Sequence, residues 1–528
     1  MPEPPRAASE SHVASESPAT SQIRAASDSS APSAVPPASP PPAGRRPTIG
    51  LWLGPALFLL VFALPFPAGA TAATRATAAV AALMAVWWMT EALPLAATAL
   101  LPLALFPMLG VLSAADAASP YANPVIFLFL GGFVLALSME RWGLHRRIAL
   151  FVVSRVGTSP RRLVGGFMIA TALVSMWISN TATAAMMVPI GIALIELLRP
   201  ADPDTPFPFG TALMLGIAYA ATIGGVGTLI GTPPNAVFAA AANELLGRSI
   251  SFTDWMVVGV PLVIVMLPVT WALLVYRLFP PGDLPSGAAD VLAAERRDLG
   301  PMSRGEALTM AVFFLAVFGW LAREPKVIGA LTLPGLTQLV PGLDDSTIAI
   351  AASILLFLLP AGRGEDGASR RVMDWATAKR LPWGVLLLFG GGLALAAAFE
   401  ASGLTRTIAQ LVGGLAGLPT WILLAAMAAT FIYLSELASN TAVAAMAMPV
   451  LAAAALGLGQ PPLLFMALGA LAASTAFMLP VGTPPNAIAF GSGRITMAQM
   501  IRAGFWLNLF ALVLDTLIAL VLVPLLLR

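Results

Sequence analysis

Residues 505–527 read FWLNLFALVLDTLIALVLVPLLL, and 52–70 are nearly as apolar. About 20 such residues in a row are what a helix needs to cross a hydrocarbon core. No other property of the chain restricts its fold as much. Only 10% of residues are charged and mean hydropathy is +0.86, whereas soluble domains carry about 25% charged residues. Apolar runs of this length favour helices over a barrel, whose strands alternate with a period of two. The expected fold is an all-α polytopic membrane protein of about 11 transmembrane helices. Hydropathy breaks place spans near 49–69, 75–92, 93–113, 122–140, 209–242, 254–279, 305–322, 345–362, 382–400, 463–490 and 503–527.

Two further apolar stretches, 163–198 and 418–458, carry the triplet Ser-Asn-Thr near their middles. Were each a full span, the following basic residues would fall on the wrong side. Were each to dip in and return, Arg45, Arg46, Arg146, Arg147, Arg161, Arg162, Arg296, Arg297, Arg370 and Arg371 collect on one side, as cytoplasmic loops do. This assigns a cell (inner) membrane protein with a cytoplasmic N-terminus and an external C-terminus. Residues 1–47 are rich in Pro, Ser and Ala. Such a segment cannot bury enough surface to fold and is expected to be a disordered tail.

The chain also repeats itself. GGFVLALSMERWGL at 131–144 parallels GGLALAAAFEASGL at 391–404, and SNTATAAMMVP at 179–189 parallels SNTAVAAMAMP at 439–449. GTPPNA occurs at 231–236 and again at 482–487. Three motifs recurring in one order imply two copies of one unit. Basic residues follow the first glycine-rich span and precede the second, so the copies are expected to be inverted. Inverted repeats with interrupted helices form secondary transporters, with the binding site where the repeats meet. The domains are then the 1–47 tail, a first span plus first repeat over 49–279, a cytoplasmic linker over 280–304, and a second repeat over 305–528.

Each repeat combines a re-entrant hairpin with a broken helix. A hairpin tip exposes backbone groups that lipid cannot satisfy; Ser, Asn and Thr satisfy them locally. Two copies at matched positions favour a site over a simple turn. Pro233–Pro234 and Pro484–Pro485 interrupt their helices, and Gly231 and Gly482 permit close approach of a ligand. The freed carbonyls suit a small hard cation, and the helix restarting after the prolines offers its positive end to an anion. No Lys, Arg or His occurs in 163–198 or in 407–493. A dianion bound there would need mobile cations as countercharge, and the two ligands would then strengthen each other reciprocally.

Zero Cys and two His, His12 in the tail and His145 beside two arginines, leave no thiolate site, histidine metal centre or triad. No nucleophile–base pair or nucleotide loop is legible, so an enzyme is not expected, nor a nucleic-acid partner. Among the Glu in or beside apolar runs, Glu91, Glu140, Glu400 and Glu436 stand out. Glu140 and Glu400 read as interfacial, Glu91 as a cap on a broken span, and Glu436 as a group that shapes a cation site or titrates.

Paired Ser-Asn-Thr triplets, each followed by a Gly-Thr-Pro-Pro-Asn break, resemble the divalent anion:sodium symporter family of dicarboxylate, citrate and sulfate carriers. The resemblance covers roughly 49–528. It implies a homodimer working as an elevator, with Na⁺ as the coupling ion and a small dianion as substrate. Carried over residue by residue, it implies substrate contacts from Ser179, Asn180, Thr181, Ser439, Asn440, Thr441, Thr483 and Pro484. It implies one Na⁺ site at Ser175, Ser179, Asn180 and Gly231, and a second at Ser435, Ser439, Asn440 and Gly482. A C4 dicarboxylate such as succinate, fumarate or malate is the leading substrate. A Na⁺-independent exchanger, a citrate or sulfate symporter, an ion channel and a metalloid permease stay open as alternatives.

Overall fold

Paired prolines mark where two helices of this chain restart after a break. In the computed structural model, described over residues 45–67, 70–157, 159–199, 207–282, 288–328, 331–363 and 369–527, the apolar stretch 209–242 is not one helix but two. Pro208–Gly225 ends eight residues before Pro233–Leu246 begins. The stretch 463–490 divides likewise into Pro462–Ser474 and Pro484–Gly491. In both, the restart is the Pro-Pro pair at the first two helical positions, where a missing N–H costs nothing.

The Ser-Asn-Thr stretches form helix pairs. Pro160–Ser175 turns at 176–179 into Asn180–Leu198, and Thr420–Leu437 turns at 438–439 into Asn440–Gly457. The outer ends of the second pair meet, with the Thr420 hydroxyl 3.2 Å from Gln460 Oε1. Among the described residues 11 helices are long and apolar enough to cross a membrane. They are not the set expected from hydropathy. Asn180–Leu198, Thr420–Leu437 and Asn440–Gly457, expected as hairpin arms, count among them. Leu95–Met108, Asp345–Leu358 and Pro462–Ser474, expected as parts of spans, are shorter. Length alone does not separate a deep hairpin arm from a span, because 18 residues rise about 27 Å in either.

Residues 46–528 form one unit by backbone contacts. The first helix, Arg45–Ala63, starts inside the stretch expected to be tail; the rest of 1–47 lies outside the described residues. Two short antiparallel strand pairs, Lys326–Ile328 with Leu331–Leu333 and Pro360–Arg363 with Ser369–Arg371, add to the all-α expectation. The 280–304 linker carries a helix, Ala288–Asp298. Glu295 there pairs with Arg146, and Arg147 reaches Glu306 at 2.7 Å and the Gly300 carbonyl at 3.1 Å. The linker is therefore tied to the helix that follows the first glycine-rich span.

Those glycine-rich helices, Pro124–Arg141 and Trp383–Ala401, run in opposite senses. The C-terminal end of the first meets residues just before the second, through Arg141–Asp374 at 2.6 Å and Glu140–Arg380 at 3.5 Å. Between these ends Phe129 packs edge-on against Phe389 at 5.3 Å. The repeated glycines allow close crossings. A Cβ on Gly131 would lie 2.5 Å from Ala349 Cβ, and one on Gly391 2.4 Å from the Ala99 carbonyl oxygen. The two halves also interlock. Hairpin arm Asn180–Leu198 packs on Pro484–Gly491, and arm Asn440–Gly457 packs on Pro233–Leu246.

Unwinding leaves backbone groups without partners, and buried ones must find others. The first break supplies donors to carbonyls. Asn235 Nδ2 donates to the carbonyls of Thr228 at 2.7 Å and Gly225 at 3.1 Å, and Trp255 Nε1 donates to Val226 at 2.8 Å. The second break supplies an acceptor to N–H groups. The buried Glu436 carboxylate accepts from Phe477 N and Met478 N at 2.7 Å, from Leu479 N at 2.9 Å and from Asn508 Nδ2 at 2.7 Å. Glu436 is therefore the truss of the unwound strand 475–483. Glu436→Gln replaces an acceptor with an NH₂ group, and each N–H orphaned costs about 1–3 kcal/mol. Thermal unfolding of the detergent-purified protein is expected to shift down for Glu436→Gln, and to change far less for Glu196→Gln, whose exposed carboxylate pairs with Arg494 at the surface. An unchanged melting point for Glu436→Gln would remove the truss.

Candidate functional site

The two hairpin tips and the two breaks open onto one cavity of about 700 Å³. Its wall includes Ser179, Asn180 and Thr181 from the first tip, Ser439, Asn440 and Thr441 from the second, and Gly231, Gly482, Thr483 and Pro484 from the breaks. All eight residues expected to touch substrate therefore line one space, although they stand up to 305 positions apart in the chain. Ser175 and Ser435 do not reach the wall; both are fully buried behind it.

Four helices begin at this cavity: Asn180–Leu198, Asn440–Gly457, Pro233–Leu246 and Pro484–Gly491. Ser179 and Ser439 occupy the N-cap positions of the hairpin arms, and Thr232 and Thr483 those of the restarts. The turn reading of the triplet thus holds for Ser179, whose hydroxyl accepts from Ala182 N at 3.3 Å. Ser439 makes no side-chain cap bond. Helix N-termini carry a partial positive charge and unpaired N–H groups, and four aimed at one space favour an anion there. No Lys, Arg or His is among the described residues on the wall.

Behind the tips lie oxygens in excess of donors. On the first side the Ser175 hydroxyl is 2.7 Å from both Asn180 Oδ1 and the Ala221 carbonyl, yet it has one proton for two acceptors. Gly225 lets Asn180 sit this close, since a Cβ there would lie 2.3 Å from Asn180 Oδ1. On the second side Ser435 Oγ and Asn440 Oδ1 are buried with no hydrogen-bond partner. A buried acceptor without a donor is costly, and a small hard cation with several oxygen ligands removes that cost. Among the described residues no group of three or more His, Cys, Asp or Glu is placed to hold a metal, so neutral oxygens are the ligands on offer.

Two residues of evident importance escaped the sequence. Asn235 and Asn486, the last residues of the two Gly-Thr-Pro-Pro-Asn motifs, each donate to the carbonyl seven residues earlier, Thr228 at 2.7 Å and Leu479 at 3.1 Å. In both, Oδ1 is left buried and unpartnered. The duplication of Asn within the motif was the available signal. Glu91 is the other departure. It caps its helix as expected, but with left-handed backbone (φ 50°, ψ 38°), and its side chain lines the cavity. That conformation costs a non-glycine residue about 1–2 kcal/mol.

Comparison with known proteins agrees with this geometry. Residues 48–527 match the family model for the sodium:sulfate symporter transmembrane region. The chain is 43% identical over 483 residues to the sodium-dependent dicarboxylate transporter SdcS of Staphylococcus saprophyticus, covering 90% of this chain and 91% of that one. It is 43% identical over 486 residues to SdcS of Staphylococcus aureus, covering 91% and 92%. Among solved structures it is similar to the Alcanivorax borkumensis YdaH transporter, at 16% identity and a TM-score of 0.52, over 90% of this chain and 97% of that one. This last likeness concerns the fold alone. With 48–527 covered by one model, and with a multi-pass helical fold that brings both hairpin tips and both breaks to one cavity, the chain belongs to the sodium:sulfate symporter family of membrane transporters.

Proposed function

We propose that the protein is a secondary transporter that couples Na⁺ entry to uptake of a dianion, most favourably a C4 dicarboxylate such as succinate. One observation carries this: four helix N-termini and two neutral-oxygen tips share a cavity that holds no basic side chain. Helix ends attract an anion but do not balance a charge of −2. The acceptor-rich pockets behind the tips supply places for the balancing cations. The first Na⁺ site draws on Ser175, Ser179, Asn180 and the Gly231 carbonyl, and the second on Ser435, Ser439, Asn440 and the Gly482 carbonyl. With both filled, the tips turn electropositive and the dianion binds between them, against Asn180, Thr181, Asn440, Thr441 and Thr483. Coupling follows from linkage, because each ligand raises the affinity for the other by the same factor. The dicarboxylate assignment draws on the printed names of the SdcS relatives, which are 43% identical over nearly the whole chain.

The paired, oppositely running units support alternating access by inverted repeats. The chain is assigned to a homodimer with elevator-like movement of the unit carrying tips and breaks, the N-terminus in the cytoplasm and the C-terminus outside.

Uptake of radiolabelled succinate into proteoliposomes is expected to need an inward Na⁺ gradient, and equal uptake in K⁺ buffer would reject coupling. Asn180→Ala and Asn440→Ala are each expected to lower uptake by about tenfold or more, since each removes an amide that no neighbour replaces. Both variants should elute as the wild type does on size exclusion. Wild-type rates in both would take the tips out of the mechanism.

A further inference from the structure

Glu91 follows the helix Ala72–Thr90, outside both hairpins and both breaks, and is the one charged side chain among the described residues that line the cavity. Two local rules are broken there. It is the only described non-glycine residue with positive φ, a position where glycine is the usual helix-ending residue. A carboxylate at a helix C-terminus faces the negative end of the dipole. Its side chain is exposed and, among the described residues, makes no hydrogen bond or ion pair, so the carboxylate is open to the cavity; the backbone N–H is tied to the Trp87 carbonyl. Glycine would remove the strain and the charge together. A carboxylate kept at such a place, facing a cavity with no cationic side chain, serves something other than stability.

We propose that Glu91 is a charge filter that keeps a dianion out of the cavity until cations occupy the tips. The inference rests on the function proposed above and adds a specificity-determining residue to it. With the tips empty, Glu91 is the one charged side chain among the described wall residues, and its repulsion opposes the pull of the four helix ends on a solute of charge −2. Cations are drawn to the same field. Once they sit behind the tips, the approaching dianion sees a net positive surface and Glu91 no longer excludes it. Repulsion of the unaccompanied solute thus discriminates against uncoupled flux, as an unfavourable contact discriminates against a wrong partner. The other titratable group beside the tips, Glu436, has its carboxylate consumed by three N–H groups and Asn508 and does not face the cavity.

The test compares Glu91→Gln, which keeps the shape, Glu91→Gly, which relaxes the backbone, and Glu91→Asp, which keeps the charge, all as full chains in proteoliposomes. Succinate uptake is measured against Na⁺ at constant ionic strength held with choline. Both charge-free variants are expected to raise Na⁺-free uptake about threefold or more relative to uptake at saturating Na⁺. Glu91→Asp should restore strict coupling, and Glu91→Gly should melt at a higher temperature than the wild type. If Glu91→Gln does not fold, Glu91→Gly carries the comparison. Strict wild-type coupling in the charge-free variants overturns the filter, and so does complete loss of uptake by folded variants, because a filter is not needed for passage. Failure of the wild type itself to require Na⁺ would instead overturn the proposed function.

Discussion

A peptide group inside a hydrocarbon layer must be hydrogen-bonded, and this protein unwinds two helices where it is hardest to comply. Everything distinctive about the centre of the molecule follows from how that demand is met. The first break leaves carbonyls exposed and meets them with amide and indole donors, Asn235 and Trp255. The second leaves N–H groups exposed and meets them with a carboxylate, Glu436, steadied by Asn508. The motif asparagine donates to a freed carbonyl in both halves, Asn235 to Thr228 and Asn486 to Leu479, but the second break also turns three N–H groups onto a carboxylate, so the other supporting residues differ. This explains why Glu436 has no counterpart in the first repeat, where Met176 precedes Ser179 by the same three residues.

The second consequence is electrostatic. Ends of helices are cheap sources of partial positive charge, since the unpaired N–H groups exist wherever a helix starts. Four starts at one cavity favour an anion there with no lysine or arginine among the described lining residues. Such a site differs from one built on arginine. Partial charges do not neutralise a dianion, and the leftover negative charge has to be balanced by ions that arrive with it. The buried oxygens of Ser435, Asn440 and Asn486, which have no donor to accept from, stand where such ions would be useful. Binding and coupling are then one property, not two devices joined together.

How much of this was legible beforehand varies with the length of the pattern. Membrane class, helical character and the duplicated unit came from long, redundant signals: repeated apolar runs and three motifs recurring in order. The tips and breaks were legible because polar and proline residues are conspicuous in apolar surroundings. What stayed hidden depended on partners distant in the chain. Nothing near Glu436 in sequence announces the N–H groups of 477–479, some 40 residues on. Asn508 and Asp515 sit in the apolar run 505–527, and neither was singled out. Asp515 accepts a hydrogen bond from the Thr475 hydroxyl at 2.8 Å, just where the second break begins. Hydropathy alone does not separate the arms from spans, because a helix that dips deeply and one that crosses have the same composition.

The exchange of partners between halves links the two ideas. The second arm of each hairpin packs against the restarted helix of the opposite repeat, while the first tip also rests on its own break, with Asn180 against Gly225. In the proposed arrangement an ion behind the first tip would tie Asn180 to the first break through Gly231, while the arm beyond that tip rests on Pro484–Gly491 of the second. Occupancy on one side therefore bears on the geometry of the other without a long relay, through a single layer of packed helices. Two repeats folded side by side, each with its own tip and its own break, would give two independent half-sites. Crossing them makes one cavity whose four helix ends are held in register by both halves together, and a solute with two carboxylates is the kind of ligand that uses both.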